Sequence, residues 1–313
     1  MKQQELFDVI IIGGSYAGLS AGLSLGRSGR HVLIIDAGEP CNKKTLHSHN
    51  FLTRDGSRPS EINHIAREQV TSYPTISFMD GLVTSVNQTD TIFEVTTKDK
   101  QAFRTRKVLF ATGIKDTIPI TPGFEDCWGI SILHCPYCHG YEVKNKRLGV
   151  LANGDMGYEM AKILNQWSDK LTPYTNGTST LSPEEVNMLN KNDILVVENC
   201  IKEIEHENGK ITSLHFEDTP PDDIEAIFTQ LPFIQHCSIP EEMGCEITEK
   251  GFIKVDRTMQ TSVPGVYAAG DCLTHFRSVA NAVAQGNKAG ATINHKLIEE
   301  KFVVEAGDSI QSQ

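Results

Sequence analysis

The chain contains no apolar run approaching the ~20 residues of a membrane-spanning helix, and no part of it is expected in a bilayer. Basic charge is in deficit: 29 Lys and Arg stand against 40 Asp and Glu, a net charge of −11. Nucleic acids and anionic membrane surfaces are held through basic patches, so neither is expected as a partner. An apolar leader is also missing, because Met1-Lys2-Gln3-Gln4-Glu5 leads straight into a strand. The expectation is a cytoplasmic protein. Cysteine is not scarce, but its pattern excludes a disulfide scaffold. A chain of 313 residues can bury a core without staples, and of its eight cysteines only Cys135 and Cys138 stand close enough to share chemistry. The other six read as buried or incidental thiols. At roughly 150 residues per domain, the length suggests two domains.

Phe7–Ile12 is a continuous β-branched run, the pattern of a strand buried on both faces of a parallel sheet. Gly13-Gly14-Ser15-Tyr16-Ala17-Gly18 follows, then apolar residues at helical spacing over Leu19–Arg27, then a second apolar strand, His31–Ile35, ending at Asp36. Strand, glycine turn, helix, strand and terminal acid form the dinucleotide-binding plan. The turn and helix N-terminus face a pyrophosphate and the acid faces a ribose hydroxyl. Ser15 replaces the middle glycine of the fingerprint.

The most informative stretch is His134-Cys135-Pro136-Tyr137-Cys138-His139-Gly140-Tyr141-Glu142. C-x-x-C at a helix start brings two sulfurs within disulfide reach, and the helix N-terminus with a nearby imidazole stabilises a thiolate. A structural zinc site would need a second ligand pair. Cys237 and Cys245 are eight residues apart and far downstream, so no metal is expected. Tyr137 carries no functional assignment.

The order of the glycine turn, Phe110-Ala111-Thr112-Gly113, C-x-x-C-x-G and Val266-Tyr267-Ala268-Ala269-Gly270-Asp271 resembles the low-molecular-weight thioredoxin reductases, the class II pyridine nucleotide-disulfide oxidoreductases, from about Phe7 to Glu299. The run Cys135–Glu142 is similar to a branch that includes gliotoxin-type dithiol oxidases. The resemblance implies an α/β fold of two Rossmann-like three-layer nucleotide-binding domains, the second inserted into the first. It implies a discontinuous FAD-binding domain at 1–114 and 246–313, and a redox-disulfide, NAD(P)H-type domain at 119–240. FAD would be held by Gly13, Gly14, Ser15, Ala17, Gly18, Asp36, Asn42, His47, Asn50, Val83, Ala111, Thr112, Gly113, Gly270, Asp271 and Val279. His49 lies in the same loop as His47 and Asn50. Cys138 would be the flavin-side sulfur and Cys135 the sulfur that exchanges with substrate. His139 stands where ordinary thioredoxin reductases have an aspartate acid/base; Glu142 would orient it, and His134 is the rival for that role. A homodimer is implied as well.

A second βαβ unit begins at Leu148-Gly149-Val150-Leu151, with a turn Ala152-Asn153-Gly154-Asp155-Met156-Gly157, a helix over Tyr158–Leu164 and a strand over Lys170–Thr175. Ala152 replaces the first glycine. Beyond the strand, Thr175-Asn176-Gly177-Thr178-Ser179 carries no basic residue for a 2′-phosphate, and none recurs until Lys191. NADPH or NADH therefore stays open as a cofactor. A further strand is expected at Ile194–Val197, a helix from Val279 to Leu297 whose small residues allow close approach, and a polar frayed end over 302–313. The reading is an FAD-dependent dithiol/disulfide oxidoreductase passing electrons between flavin, Cys135–Cys138 and the disulfide of a thioredoxin-like protein. An oxygen-dependent oxidase of a small dithiol, or a reductase fed by ferredoxin, is the alternative.

Overall fold

The computed structural model describes residues 5–311. In chain order the elements are β1 (Leu6–Ile12), α1 (Tyr16–Arg27), β2 (Val32–Asp36), α2 (Pro59–Thr71), β3 (Ile76–Asp80), β4 (Val83–Thr89), β5 (Ile92–Thr97), β6 (Ala102–Phe110) and β7 (Ile114–Asp116). Next come α3 (Phe124–Cys127), β8 (Ile132–Leu133), α4 (Pro136–His139), β9 (Leu148–Leu151), α5 (Gly154–Leu164), β10 (Leu171–Tyr174), α6 (Pro183–Asn190), β11 (Ile201–Glu207), β12 (Lys210–Phe216), β13 (Asp222–Asp223), β14 (Ala226–Phe228) and β15 (Phe233–Gln235). The chain closes with α7 (Ile239–Glu242), β16 (Val266–Ala268) and α8 (Val279–Gln311). Two compact units result. The first takes the chain up to Lys43, Ser60–Lys115 and everything from Ile234 on; the second takes Lys44–Pro59 and Asp116–Phe233. Lys44–Pro59, expected with the FAD-binding domain, packs with the second unit: Lys44 Nζ donates to the Glu125 carbonyl at 2.8 Å.

The sheet of the first unit runs β3-β2-β1-β6-β5-β4, with β16 beside the C-terminal half of β6. Its centre is parallel, and β4–β5–β6 is an antiparallel meander. The β-branched run of β1 is buried on both faces. Ile11 and Ile34 meet the glycines of α1, whereas Ile10, Ile12, Leu33 and Ile35 join Val86, Phe93 and Val95 in the opposite core. The small residues of α8 have a specific partner, which is α1. A Cβ on Gly286 would lie 2.1 Å from the Ala17 carbonyl oxygen, and one on Gly290 would lie 2.7 Å from that of Ala21. Ser20 Oγ clamps the pair by donating to the Val283 carbonyl. The frayed end is corrected: α8 continues past Leu297 to Gln311. No proline interrupts this stretch, Glu299, Glu300 and Lys301 are good helix formers, and Glu300 is held by Lys107 Nζ at 2.7 Å. Residues 312 and 313 lie outside the described residues.

The second unit carries a parallel sheet, β10-β9-β14-β8, and an antiparallel one, β11-β12-β13. Buried Ser131 ties them, donating to the Gly209 carbonyl and accepting from Ile211 N–H. The expected strand at Ile194–Val197 is only an extended segment with a single bridge, Val197 to Tyr174. Val197 N–H donates to the carbonyl of Pro173. Thr175 N–H returns a bond to the Val197 carbonyl at 3.0 Å, but Pro173 has no N–H to donate to the preceding rung, so the ladder does not extend back toward Ile194.

Candidate active site

The first glycine turn is tight because its neighbours leave no room for side chains. Gly13 has φ 108°, and a Cβ there would sit 2.3 Å from the Ala111 carbonyl oxygen; one on Gly18 would sit 1.9 Å from that of Gly13. Ser15 is tolerated because its φ of −91° is ordinary for any L-residue. As the N-cap of α1 it makes no side-chain capping bond, and the first turn of α1 carries no acid. The positive end of the helix is thus left for an anion. Asp36, at the end of β2, accepts from Gly14 N–H through Oδ1 at 2.9 Å. Asn42 donates to the Tyr16 hydroxyl.

Around this turn the first unit also gathers Ala111, Thr112, Gly113, Gly270 and Asp271. Thr112 Oγ1 is shielded from solvent and finds no hydrogen-bond partner among the described residues. Gly270 has φ 95° and donates to Gln285 Oε1, while Asp271 lies 3.7 Å from Arg277 Nε. Val83 is a core side chain of β4, and Val279 opens α8. An orphaned hydroxyl, an uncapped helix start and an acid at the strand end suit a dinucleotide such as FAD. His47 and Asn50 fall in the second unit. Sequence reasoning missed Asn63, which donates to the Gly14 carbonyl at 3.4 Å, and Phe78, whose ring would meet a Cβ on Gly14 at 2.6 Å. Neither belongs to a motif; the packing of α2 and β3 brings them in.

The second glycine turn is closed by its own side chains. Asn153 caps α5, its Oδ1 accepting from Gly154 N–H at 2.8 Å, Thr180 N–H at 2.8 Å and Thr180 Oγ1 at 3.1 Å. Its Nδ2 donates to the Thr178 carbonyl at 2.9 Å. The segment beyond β10 is therefore stitched to the turn. Asn176 pins the same segment by accepting from Ile201 N–H, and Thr175 Oγ1 donates to the Gly177 carbonyl. The first turn of α5 carries Asp155, a negative charge where a pyrophosphate would bind. These residues do not fit a nicotinamide dinucleotide.

Cys135 and Cys138 form a disulfide with Cα atoms 5.3 Å apart. Cys135 is the N-cap of α4, Pro136 is its first residue, and Cys138 N–H donates to Cys135 Sγ at 3.2 Å. On reduction that N–H stabilises a thiolate at Cys135. The glycine after His139 is required: a Cβ on Gly140 would lie 2.6 Å from the Pro136 carbonyl oxygen and 2.8 Å from the Trp167 ring. Trp167 in turn meets Tyr137 edge-on at 5.8 Å. A cavity of about 330 Å³ opens here, walled by Pro136, Tyr137, Cys138, Tyr141 and Trp167 on its apolar side and by His49, Asn50, Asp55 and Glu142 on its polar side. Trp167 and Asp55 lie outside every motif. His134 packs against Trp128. His139 is half-buried, and its pKa is pushed below the usual imidazole value by burial, with Glu142 opposing that shift and His49 adding to it. Glu142 Oε1 itself lies 3.5 Å from His49 Nδ1.

Residues 7–286 match the pyridine nucleotide-disulphide oxidoreductase family. Thioredoxin reductase tcpT of Claviceps purpurea is 32% identical, over 96% of this chain and 97% of that protein. Among solved structures, HlmI superposes with a TM-score of 0.93 at 31% identity, covering 100% of this chain and 99% of that one. The oxidoreductase from Agrobacterium tumefaciens gives 0.88 at 35% identity, covering 94% and 99%. The chain belongs to the pyridine nucleotide-disulphide oxidoreductases. Within that family it is a thioredoxin reductase-like, flavin-dependent disulfide oxidoreductase. Among the described residues no helix is long and apolar enough to cross a membrane.

Proposed function

We propose that this enzyme oxidises a small dithiol at Cys135–Cys138 and delivers the electrons through FAD to oxygen, without using a nicotinamide. The observation that carries this reading is the closed second turn, in which Asn153 holds Thr178 and Thr180 across the place of a dinucleotide. A thioredoxin-like protein is the less favoured substrate, because the cavity beside Cys138 is the size of a small molecule.

The exchange proceeds on this chain's own atoms. His139 takes the proton of the first substrate thiol. The resulting thiolate attacks Cys135 Sγ, the bond to Cys138 breaks, and Cys138 leaves as a thiolate. The second substrate thiol then passes its proton to the Cys138 thiolate, attacks the substrate sulfur of the mixed disulfide and releases Cys135 as a thiolate, which takes the proton held by His139. Substrate dithiol and enzyme disulfide become substrate disulfide and two cysteine thiols. Gly13–Gly18, Asp36 and Thr112 would hold FAD, which would supply two-electron chemistry between the reduced pair and oxygen. The overall balance is dithiol plus oxygen giving disulfide plus hydrogen peroxide.

The test is anaerobic bleaching of the flavin with a dithiol, NADPH or NADH added separately. The dithiol alone should bleach it, and air should restore the colour with one peroxide per disulfide. Rapid bleaching by NADPH or NADH would overturn the reading.

A further inference from the structure

His49 belongs to none of the cysteine or glycine motifs, yet it is the side chain that Glu142 meets. Its Nδ1 lies 3.5 Å from Glu142 Oε1 and 3.7 Å from Asp55 Oδ1, and its ring is only 21% exposed. The His139 ring stands edge-on to it, with centroids 6.3 Å apart. The loop that carries His49 is built rather than loose. Ser48 N–H donates to the Ser57 carbonyl and Gly56 N–H to that of Ser48, both at 2.8 Å. His47 Nδ1 lies 2.9 Å from the Gly56 carbonyl oxygen. Asn50 N–H donates to Asp55 Oδ1 at 2.7 Å, which fixes that acid next to the imidazole.

Resting on the thiol-exchange reading above, we propose that His49 is a positioning residue: it engages the Glu142 carboxylate and so keeps His139 available as the base that deprotonates the attacking thiol. A carboxylate given wholly to His139 would favour its imidazolium, and an imidazolium accepts no proton. Glu142 is shared, and a cationic His49 would further oppose charge on His139. His139 faces Glu142 and His49. His49 faces Glu142, Asp55, His139 and, at 6.5 Å, the ring of His47. Tyr141 borders the same cavity.

The test uses the flavin-loaded protein and two readouts. The first is the proton NMR titration of the His139 C2–H, which needs no substrate. The second is the rate at which dithiothreitol reduces Cys135–Cys138 between pH 5 and 9, followed by alkylation quench and mass. His49→Asn should raise the His139 midpoint, and with it the acid limb of the rate, by roughly half to one pH unit. Glu142→Gln should move both to lower pH. On the Glu142→Gln background His49→Asn should shift the midpoint much less, which is the signature of coupling. A His49→Asn protein with an unmoved midpoint and a rate lowered equally at every pH would overturn the proposal. If His49→Asn fails to fold, an unmoved midpoint in Glu142→Gln overturns it equally. Failure of dithiothreitol to reduce the wild-type pair would instead count against the exchange reading, and the titration would still decide the role of His49.

Discussion

The two βαβ turns of this chain share a plan and differ in what they leave open. In both, the last glycine is a packing residue: a Cβ on Gly18 would strike the Gly13 carbonyl oxygen at 1.9 Å, and one on Gly157 would strike that of Ala152 at 2.7 Å. That glycine lets the helix settle on its strand whether or not a ligand ever binds. The differences lie at the helix start and the strand end. α1 begins at Ser15 with no capping bond and no acid, and β2 ends in Asp36. α5 begins at Asn153, which is hydrogen-bonded to the opposite segment, carries Asp155 in its first turn, and is followed by β10, which leads into Thr175. A glycine fingerprint therefore reports the fold, whereas the polar groups around it report the ligand.

The largest way to break this comparison is at the glycines. Gly18→Val should cost several kcal/mol, on the order of 3 or more, and yield protein without flavin. Gly157→Ala meets a gentler clash and should cost about 1–2 kcal/mol with flavin content unchanged. Thermal denaturation and flavin absorbance check both. Flavin-replete Gly18→Val of wild-type stability would show that the first turn is not what it is taken to be.

Next is the cap. Asn153→Ala removes a cap and the bonds to Thr178 and Thr180, and should destabilise the second unit by about 1–2 kcal/mol. Ser15→Ala removes no capping bond, so its effect on α1 should stay within ~0.5 kcal/mol. Hydrogen exchange should show faster opening at Thr180 in Asn153→Ala. Equal losses for the two variants would erase the distinction between the turns. Asp36→Asn should weaken flavin binding about tenfold, a loss of ~1.4 kcal/mol, measured by titrating FAD into stripped protein.

Much of this is legible in the sequence. The β-branched run of β1, the turn, Asp36 and the redox pair each rest on local spacing, and spacing is what a sequence displays. The failures have non-local causes. Val197 bridges Tyr174 and is bonded on both sides, but Pro173 has no N–H to carry the ladder back toward Ile194. The end of α8 looked frayed because its anchor, Lys107, lies on β6. That the loop carrying His47 and Asn50 joins the unit that holds Cys135–Cys138 is likewise set by contacts remote in the chain. The pairing of Glu142 with His49 is a product of that loop. Asn153 was in plain view, but a carboxamide reveals its partners only once Thr178 and Thr180 are folded against it.

The last expected effect is a gain. If the second turn is shut by Asn153 and repelled by Asp155, then Asn153→Gly and Asp155→Ser together should open the helix start, and Thr178→Arg should add the positive charge that the strand end lacks. Removing an acid from a helix N-terminus is worth about 0.3–1 kcal/mol toward an anion, and a charge-assisted bond to a phosphate about 1.5–3 kcal/mol. Together these reach roughly a ten- to thousandfold gain on a negligible starting affinity, which corresponds to millimolar binding rather than the grip of a working reductase. The opened segment also loses its stitching, so part of the gain is offset by disorder. NADPH binding should therefore appear only as saturable fluorescence quenching at high ligand concentration, with dithiol-driven bleaching unaffected. If the triple variant binds no better than wild type, the obstruction lies deeper than the cap and the acid, in the course of β10 itself.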